Sequence, residues 1–376
     1  VMKILFIANR SKIFSGGQIS LLEILSNIDR SKFNPVVLCP GEGEIAEQVR
    51  SMGITALVWD MPTARSFNVF EINKRVSKLR SIMLAQGVDI VHTNGSRAQF
   101  YAALAKKGTK AKMVWHLRES TPDMFLYDWF ISKAADRIIC VSEGTKEKRI
   151  SHRFPMFNAK TIVVYNGVDT QRFTRDLNAR ESVRNQIGVK KNDILLGLIG
   201  LLIPRKGHQI LLKALSVLVG DHPDIKLLIM GRTVDEAYTE RIKTMANQLG
   251  LGAHVFLSGP REDMVAVLSA LDIFVLPSQG EGFSRALIEA MSLSLPIIAS
   301  DISGNNEAII QDKTGFLVPY GDVYLLAEDI QKLLKNRQKS INMGVNARKR
   351  VEDVFSIKKH ISEIQNVYEE LKEGRG

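Results

Sequence analysis

Short runs of consecutive apolar residues alternate along the chain with longer stretches in which apolar positions recur every three or four residues. Residues 4–8, 35–39, 56–58, 90–92, 113–116, 137–141 and 161–164 read as strands. Residues 18–28, 44–52, 72–86 and 98–106 between them carry the helical period. The pattern then repeats. Strands are expected at 194–200, 226–230, 255–257, 273–276, 296–299 and 315–318, and helices at 209–219, 235–249, 261–270, 285–292 and 324–335. The strand runs are continuously apolar, as a parallel sheet covered on both faces requires. Strand and helix in strict alternation predict an α/β fold of two doubly wound domains. The polar stretch 166–184, opening on Asn166-Gly167, marks the junction. Residues 356–372 read as one last amphipathic helix, with Ile357, Ile361, Ile364, Val367, Tyr368 and Leu371 on its stripe.

Composition narrows the class. A chain of 376 residues, 45% hydrophobic and 24% charged, has the material for two cores and excludes disorder and fibrous repeats. No apolar run is long enough to cross a bilayer, and no secretory apolar region follows Lys3. Cys39 and Cys140 each end a strand-like run, as core thiols of a reducing compartment do. Charge is distributed unevenly. Residues 1–175 hold 26 Lys and Arg against 15 Asp and Glu, while residues 176–376 hold 25 of each. The whole net charge of +11 therefore sits in the first half. It reads either as a solvated surface or as a face for an anionic membrane or acceptor. Nucleic acid ranks last, because no recognition motif accompanies the basic residues.

Candidate chemistry concentrates after the strand 273–276. Gly282 permits a turn there, and the amides of Phe283 and Ser284 open a helix, whose N-terminus is a ready anion site. Glu281 precedes that helix. Glu289 lies within it among apolar neighbours, either capping local structure or gripping ligand hydroxyls. In the first half, Ser15-Gly16-Gly17-Gln18 follows the first strand, as a plain turn or a point of close backbone approach. His92 and His116 end strands, the edge that faces ligand in such sheets. His92 reads best as a buried, hydrogen-bonded imidazole.

The segment Glu281-Gly-Phe-Ser-Arg-Ala-Leu-Ile-Glu289 resembles the E-x7-E signature of retaining glycosyltransferases of family 4, which have the GT-B fold. Ala135-Asp-Arg-Ile-Ile-Cys-Val-Ser142, Asn166-Gly-Val-Asp169 with Phe173, Gly200 through Lys206-Gly207, Ser303-Gly-Asn-Asn-Glu307 and Thr314-Gly-Phe-Leu-Val318 are similar to further family motifs, in the family's order. The resemblance implies two Rossmann-like domains facing across a cleft: an acceptor domain, 1–168 with a crossover helix 356–376, and a nucleotide-sugar domain, 169–355. It implies transfer of a sugar from a nucleotide sugar, UDP-linked first and GDP-linked second, to a hydroxyl acceptor in bacterial cell-surface glycan or glycolipid synthesis. Lys206 and the amides of Phe283 and Ser284 would hold the diphosphate, and Glu289 the ribose. Glu281 and His116 would meet the transferred sugar, and Gly17 the acceptor and diphosphate.

The family's usual arginine after the first glycine of the Gly200 loop is Leu201 here, so either Arg205 or Arg285 stands in or the enzyme is weaker than its relatives. No Asp-x-Asp occurs, which predicts catalysis without a metal or other cofactor. A weak or inactive binding relative and a nucleotide-sugar epimerase are the competing readings. The expected location is cytoplasmic, or peripheral at the inner membrane face. The stretch 72–85, mixing Lys74, Arg75, Lys78 and Arg80 with apolar residues, is the candidate membrane contact, unless it is an ordinary covering helix.

Overall fold

The computed structural model describes residues 1–13, 16–61, 68–119 and 124–374, so Ser15 of the Gly16-Gly17 turn lies outside the described residues. The chain divides into two compact units, Val1–Tyr165 with His360–Gly376, and Asn166–Lys359.

The first unit runs β1 (Met2–Ala8), α1 (Gly16–Asn27), β2 (Phe33–Cys39), α2 (Glu44–Ser51), β3 (Thr55–Val58), α3 (Val69–Ala85), β4 (Ile90–Asn94), α4 (Ser96–Ala105), β5 (Lys112–Leu117), α5 (Phe125–Ala134), β6 (Arg137–Cys140), α6 (Glu143–Lys146), a π-helical turn (Glu147–Ser151) and β7 (Thr161–Val163). Its strands form one sheet in the order β3-β2-β1-β4-β5-β6-β7, every pairing parallel. Leu5, Phe6 and Ile7 of β1 are wholly buried, as both-face coverage demands.

The second unit runs α7 (Leu177–Gln186), β8 (Ile194–Ile199), α8 (His208–Leu218), β9 (Ile225–Met230), α9 (Glu236–Gln248), β10 (Val255–Ser258), α10 (Met264–Ala270), β11 (Ile273–Leu276), α11 (Arg285–Ser292), β12 (Ile297–Ser300), α12 (Asn305–Ala308), β13 (Phe316–Val318), α13 (Val323–Lys335), α14 (Arg337–Val354) and the start of α15 (Ile357–Lys372). Its sheet is again parallel, ordered β10-β9-β8-β11-β12-β13.

Both sheets reverse their winding beside their first strand: between β1 and β4 in one, and between β8 and β11 in the other. The loops leaving these paired strands open a crevice at their carboxyl ends, where open α/β sheets take ligands.

Three of the longer helices depart from the sequence reading. α7 begins inside the stretch expected to be irregular. Asp176 caps it, accepting from the amides of Asn178 and Ala179, and Arg184 anchors it by donating to the Ala270 carbonyl at 3.0 Å. α14 is polar over most of its surface and rests on a narrow stripe of Met343, Gly344, Ala347 and Val351. α5 carries too many apolar residues for a face to stand out: Ile131 is buried, yet Phe125 and Leu126 are exposed.

The last helix shows the expected stripe. Ile361, Ile364, Val367, Tyr368 and Leu371 are buried, and the segment from His360 onward packs into the first unit. Its flanks are tied there by Lys32–Glu369 at 2.9 Å and by Gln365 accepting from the Asp29 amide at 2.7 Å. Both cysteines are buried and unpaired, and burial raises their thiols to about 11 for Cys39 and about 12 for Cys140. Neither is a reactive thiolate.

α3 is a covering helix. Val76, Leu79 and Met83 pack on the sheet, Arg75 is tied to Asp60, and Arg80 donates to the carbonyls of Ala105 and Leu104. Of the residues expected to meet a membrane from 72–85, Val76, Leu79, Met83, Arg75 and Arg80 are engaged inside the unit. Only Lys74 and Lys78 of its four basic residues stand fully exposed.

Candidate active site

In the second unit the loop after β8 folds onto the loop after β11. Gly207 has a left-handed φ of 75°, and a Cβ on it would lie 1.9 Å from the Pro277 carbonyl oxygen. Only glycine fits both conditions. A hydrogen bond from the Gln279 amide to the Arg205 carbonyl, 2.8 Å, closes the same contact. This approach brings together residues 75 apart in sequence: Lys206 Nζ donates to Glu281 Oε1 at 2.7 Å, with both side chains about nine-tenths buried.

Two helices start at this crevice. α8 begins on Gly207 with no side-chain cap. α11 begins after Gly282 and Phe283, capped by Ser284, whose hydroxyl accepts from the Leu287 amide at 3.4 Å. The Ser284 amide has no acceptor among the described residues. Uncapped amides, two helix N-termini and a buried ammonium make a strongly anion-attracting corner.

Arg205 and Arg285, the two substitutes for the cation missing at Leu201, are now distinguishable. Arg285 is buried and committed, donating to Glu289 Oε1 at 2.9 Å. Arg205 is half-buried beside Lys206, and its guanidinium has no partner among the described residues. It is the cation left available. Glu289 lies within α11, held by Arg285 four residues earlier. The sequence reading missed this pair, although its i, i+4 spacing is a standard helix-surface signal.

In the first unit, Gly95 has a φ of 107° and a Cβ there would lie 2.6 Å from the Asn9 side chain, so the chain turns sharply off β4. Asn94 donates to the Gly17 carbonyl at 3.0 Å and accepts from Arg118 Nε at 2.9 Å. Gly17 therefore lies at the crevice of this sheet, half-buried. His116 sits beside Asn94 across the β4–β5 ladder. Its ring is 1% exposed. Its Nδ1 lies 3.0 Å from His92 Nε2 and 3.2 Å from Arg118 Nη2. Its Nε2 is buried with no partner. Burial first, then the Arg118 charge, holds His116 well below the usual histidine range and His92 at about 3. Both imidazoles are neutral at physiological pH. His92 is the buried, hydrogen-bonded imidazole the sequence suggested. Asn94 and Tyr368 are parts of this cluster that spacing alone did not reveal, while Arg118 follows His116 directly in the sequence, two residues on.

Among the described residues there is no group of three or more His, Cys, Asp or Glu placed to hold a metal ion, and no helix is long and apolar enough to cross a membrane.

Comparison with known proteins decides the family. Glycosyltransferase family 4 matches residues 14–172, and glycosyl transferases group 1 matches residues 179–350. The chain belongs to the group 1, family 4 glycosyltransferases. Its two sheets are those of the GT-B fold. Among relatives, the Escherichia coli UDP-Gal:alpha-D-GlcNAc-diphosphoundecaprenol alpha-1,3-galactosyltransferase is 26% identical, the match covering 95% of this chain and 94% of that protein. The capsular polysaccharide biosynthesis glycosyltransferase CapM of Staphylococcus aureus is 28% identical, over 67% of each chain. The crystal structure of Anabaena HepE with UDP-glucose superposes with a TM-score of 0.85, at 22% identity, over 98% of this chain and 99% of that one.

The Arg285–Glu289 pair yields a direct test. Glu289→Gln should lower stability by about 1–3 kcal/mol, because a buried guanidinium loses its counter-charge. Arg285→Met with Glu289→Gln should recover most of that loss in thermal unfolding. If Glu289 also serves the donor, nucleotide affinity stays weak in the double variant. Recovery of affinity together with stability would make Glu289 a purely structural residue.

Proposed function

We propose that this glycosyltransferase moves a sugar from a nucleotide sugar to a hydroxyl acceptor with retention of anomeric configuration and without a metal, in bacterial cell-surface glycan or glycolipid synthesis. The observation that carries the reading is the anion-attracting corner at the β8–β11 crevice: Lys206, Arg205 and the Ser284 amide around the start of α11. In sugar transfer the diphosphate leaves as an anion, so preorganised donors aimed at it are the natural device. Lys206, Arg205, Gly282, Phe283 and Ser284 are assigned to the diphosphate, Glu289 to the ribose, and Glu281, His116 and Gly17 to the sugar and acceptor.

UDP-sugars are placed first and GDP-sugars second. The E. coli relative is named for UDP-galactose, and HepE was crystallised with UDP-glucose. The acceptor proposed is a lipid-linked diphosphate sugar, of the type named for that same relative. Leu201 favours the competing reading of a weak or inactive binding protein, and one experiment separates the two. A thermal-shift screen of UDP- and GDP-sugars identifies the donor, and proton NMR of the product then reads the new anomeric linkage in EDTA. An α-linked product from an α-linked donor, formed at undiminished rate in EDTA, is the expected outcome. A β-linked product refutes retention, recovery only on adding Mg²⁺ or Mn²⁺ refutes metal independence, and stabilisation without any transfer favours the binding protein.

A lipid-borne acceptor requires a membrane contact. In place of α3, the proposed contact is the start of α5. Met124, Phe125, Leu126 and Trp129 are exposed there, with Lys133 over the Trp129 ring at 5.0 Å. An amphipathic aromatic edged by a cation is suited to the interface of an anionic bilayer. The protein should co-sediment with anionic vesicles at low salt and release as salt screens the attraction. Leu126→Asp should abolish binding while Lys74→Gln with Lys78→Gln leaves most of it. The reverse pattern would return the contact to α3, and no binding at low salt would point to a soluble acceptor.

A further inference from the structure

The first unit contains an unbroken line of polar side chains that ends on His116 and whose other members the assignments above leave unused. Tyr368, wholly buried on α15, places its hydroxyl 2.7 Å from His92 Nδ1. His92 Nε2 lies 3.0 Å from His116 Nδ1, and Arg118 Nη2 reaches that same Nδ1 at 3.2 Å. Each neutral imidazole has one donor and one acceptor, and which nitrogen carries the proton is set by its partners.

The direction of the line can be worked out from its one unambiguous member. A guanidinium has donors only. Were His116 Nδ1 protonated, its N–H would confront an N–H of Arg118. Nδ1 is therefore assigned as the bare, accepting nitrogen, its single lone pair shared between Arg118 Nη2 and His92 Nε2. His92 Nε2 can meet a bare nitrogen only as a donor, so the His92 proton is on Nε2. His92 Nδ1 is then an acceptor, and the Tyr368 hydroxyl donates to it. At the other end the His116 proton has one place left, Nε2. That atom is buried and lacks any partner among the described residues. An unpaired buried donor costs free energy that a ligand oxygen can recover.

We propose that Arg118, His92 and Tyr368 are positioning residues that lock His116 in its Nε2–H tautomer, so that it offers a fixed, uncharged hydrogen-bond donor to a hydroxyl oxygen of the sugar substrate. This rests on the reading that places His116 against the sugar. A neutral donor suits that role, because it orients a hydroxyl without putting a cation beside the developing oxocarbenium-like centre. The charged and titratable groups facing His116 are Arg118 at the end of its own strand, His92 on β4 and His360 on α15. His360 is turned to donate its own Nδ1–H to the Tyr165 carbonyl at 2.6 Å, so it does not compete for Nδ1 of His116. Burial and the Arg118 charge both oppose protonation, which keeps the donor uncharged through neutral pH.

The test is ring-nitrogen NMR on the full-length protein labelled in histidine. In the wild type, His116 and His92 should each show a protonated Nε2 and a bare Nδ1, unchanged between about pH 6 and 8. The lock is imposed from the arginine end. Tyr368→Phe should therefore leave the His116 tautomer as it is, whereas Arg118→Met should convert it into a mixture. A merely structural cluster would not distinguish the two variants in this way. A protonated Nδ1 on His116, or titration of His116 near pH 6.5, would overturn the lock. So would scrambling by Tyr368→Phe with none by Arg118→Met. Turnover of His116→Ala is measured alongside. A large loss supports the sugar contact on which the proposal rests. Wild-type turnover in that variant refutes the contact even where NMR finds the tautomer as drawn.

Discussion

The contact between Gly207 and the Pro277 carbonyl is the constraint on which the second unit's chemistry depends. It exists because a left-handed glycine lets the loop after β8 lie directly on the loop after β11. Any side chain there would push the loops apart and separate Lys206 from Glu281. With the contact in place, a buried ammonium, two helix starts and a half-buried arginine share one corner at the reversal of strand order. Concentrating positive potential in a poorly solvated crevice is costly unless a counter-charge is nearby. Glu281 is that counter-charge before an anion arrives. Its carboxylate holds the ammonium in a defined place, and Lys206 retains further N–H donors for an incoming ligand.

The first unit solves a different problem with similar means. Its crevice sets neutral imidazoles and the Asn94 amide beside the Arg118 guanidinium. His92 and His116 lie wholly within the unit and are kept uncharged by burial, and their partners come from β4, the end of β5 and α15. Tyr368 explains why α15 matters beyond its apolar stripe. The helix closes the core with Ile364 and Leu371, and the same face delivers a hydroxyl to the end of the imidazole line.

Much of the fold could be read from the sequence, for a physical reason. Strands buried on both faces must be continuously apolar, so they stand out, and the strand–helix alternation follows. α14 did not stand out because four small or medium residues suffice to seat it, and α5 did not because its apolar residues face both inward and outward. The Glu281–Glu289 segment was legible as a motif, with its turn and helix. Its pairings were less so. The partners Lys206 and Glu281 are 75 residues apart, and Tyr368 and His92 are 276 apart, distances no local pattern encodes. The covering role of α3 was one of two readings of its periodicity. The buried side chains of Val76, Leu79 and Met83 show the covering role.

The central proposal is that the β8–β11 corner binds a diphosphate through Lys206, and that toward the diphosphate Glu281 acts by holding Lys206 in readiness. Calorimetric titration of the nucleoside diphosphate, UDP first, against the nucleoside alone measures the diphosphate contribution directly. Lys206→Met should reduce it by roughly 10- to 100-fold in affinity, the worth of one charge-assisted hydrogen bond. Glu281→Gln should leave it unchanged or strengthen it, since the ammonium then lacks a competitor. Equal weakening by both variants, or a diphosphate contribution untouched by Lys206→Met, would contradict the claim.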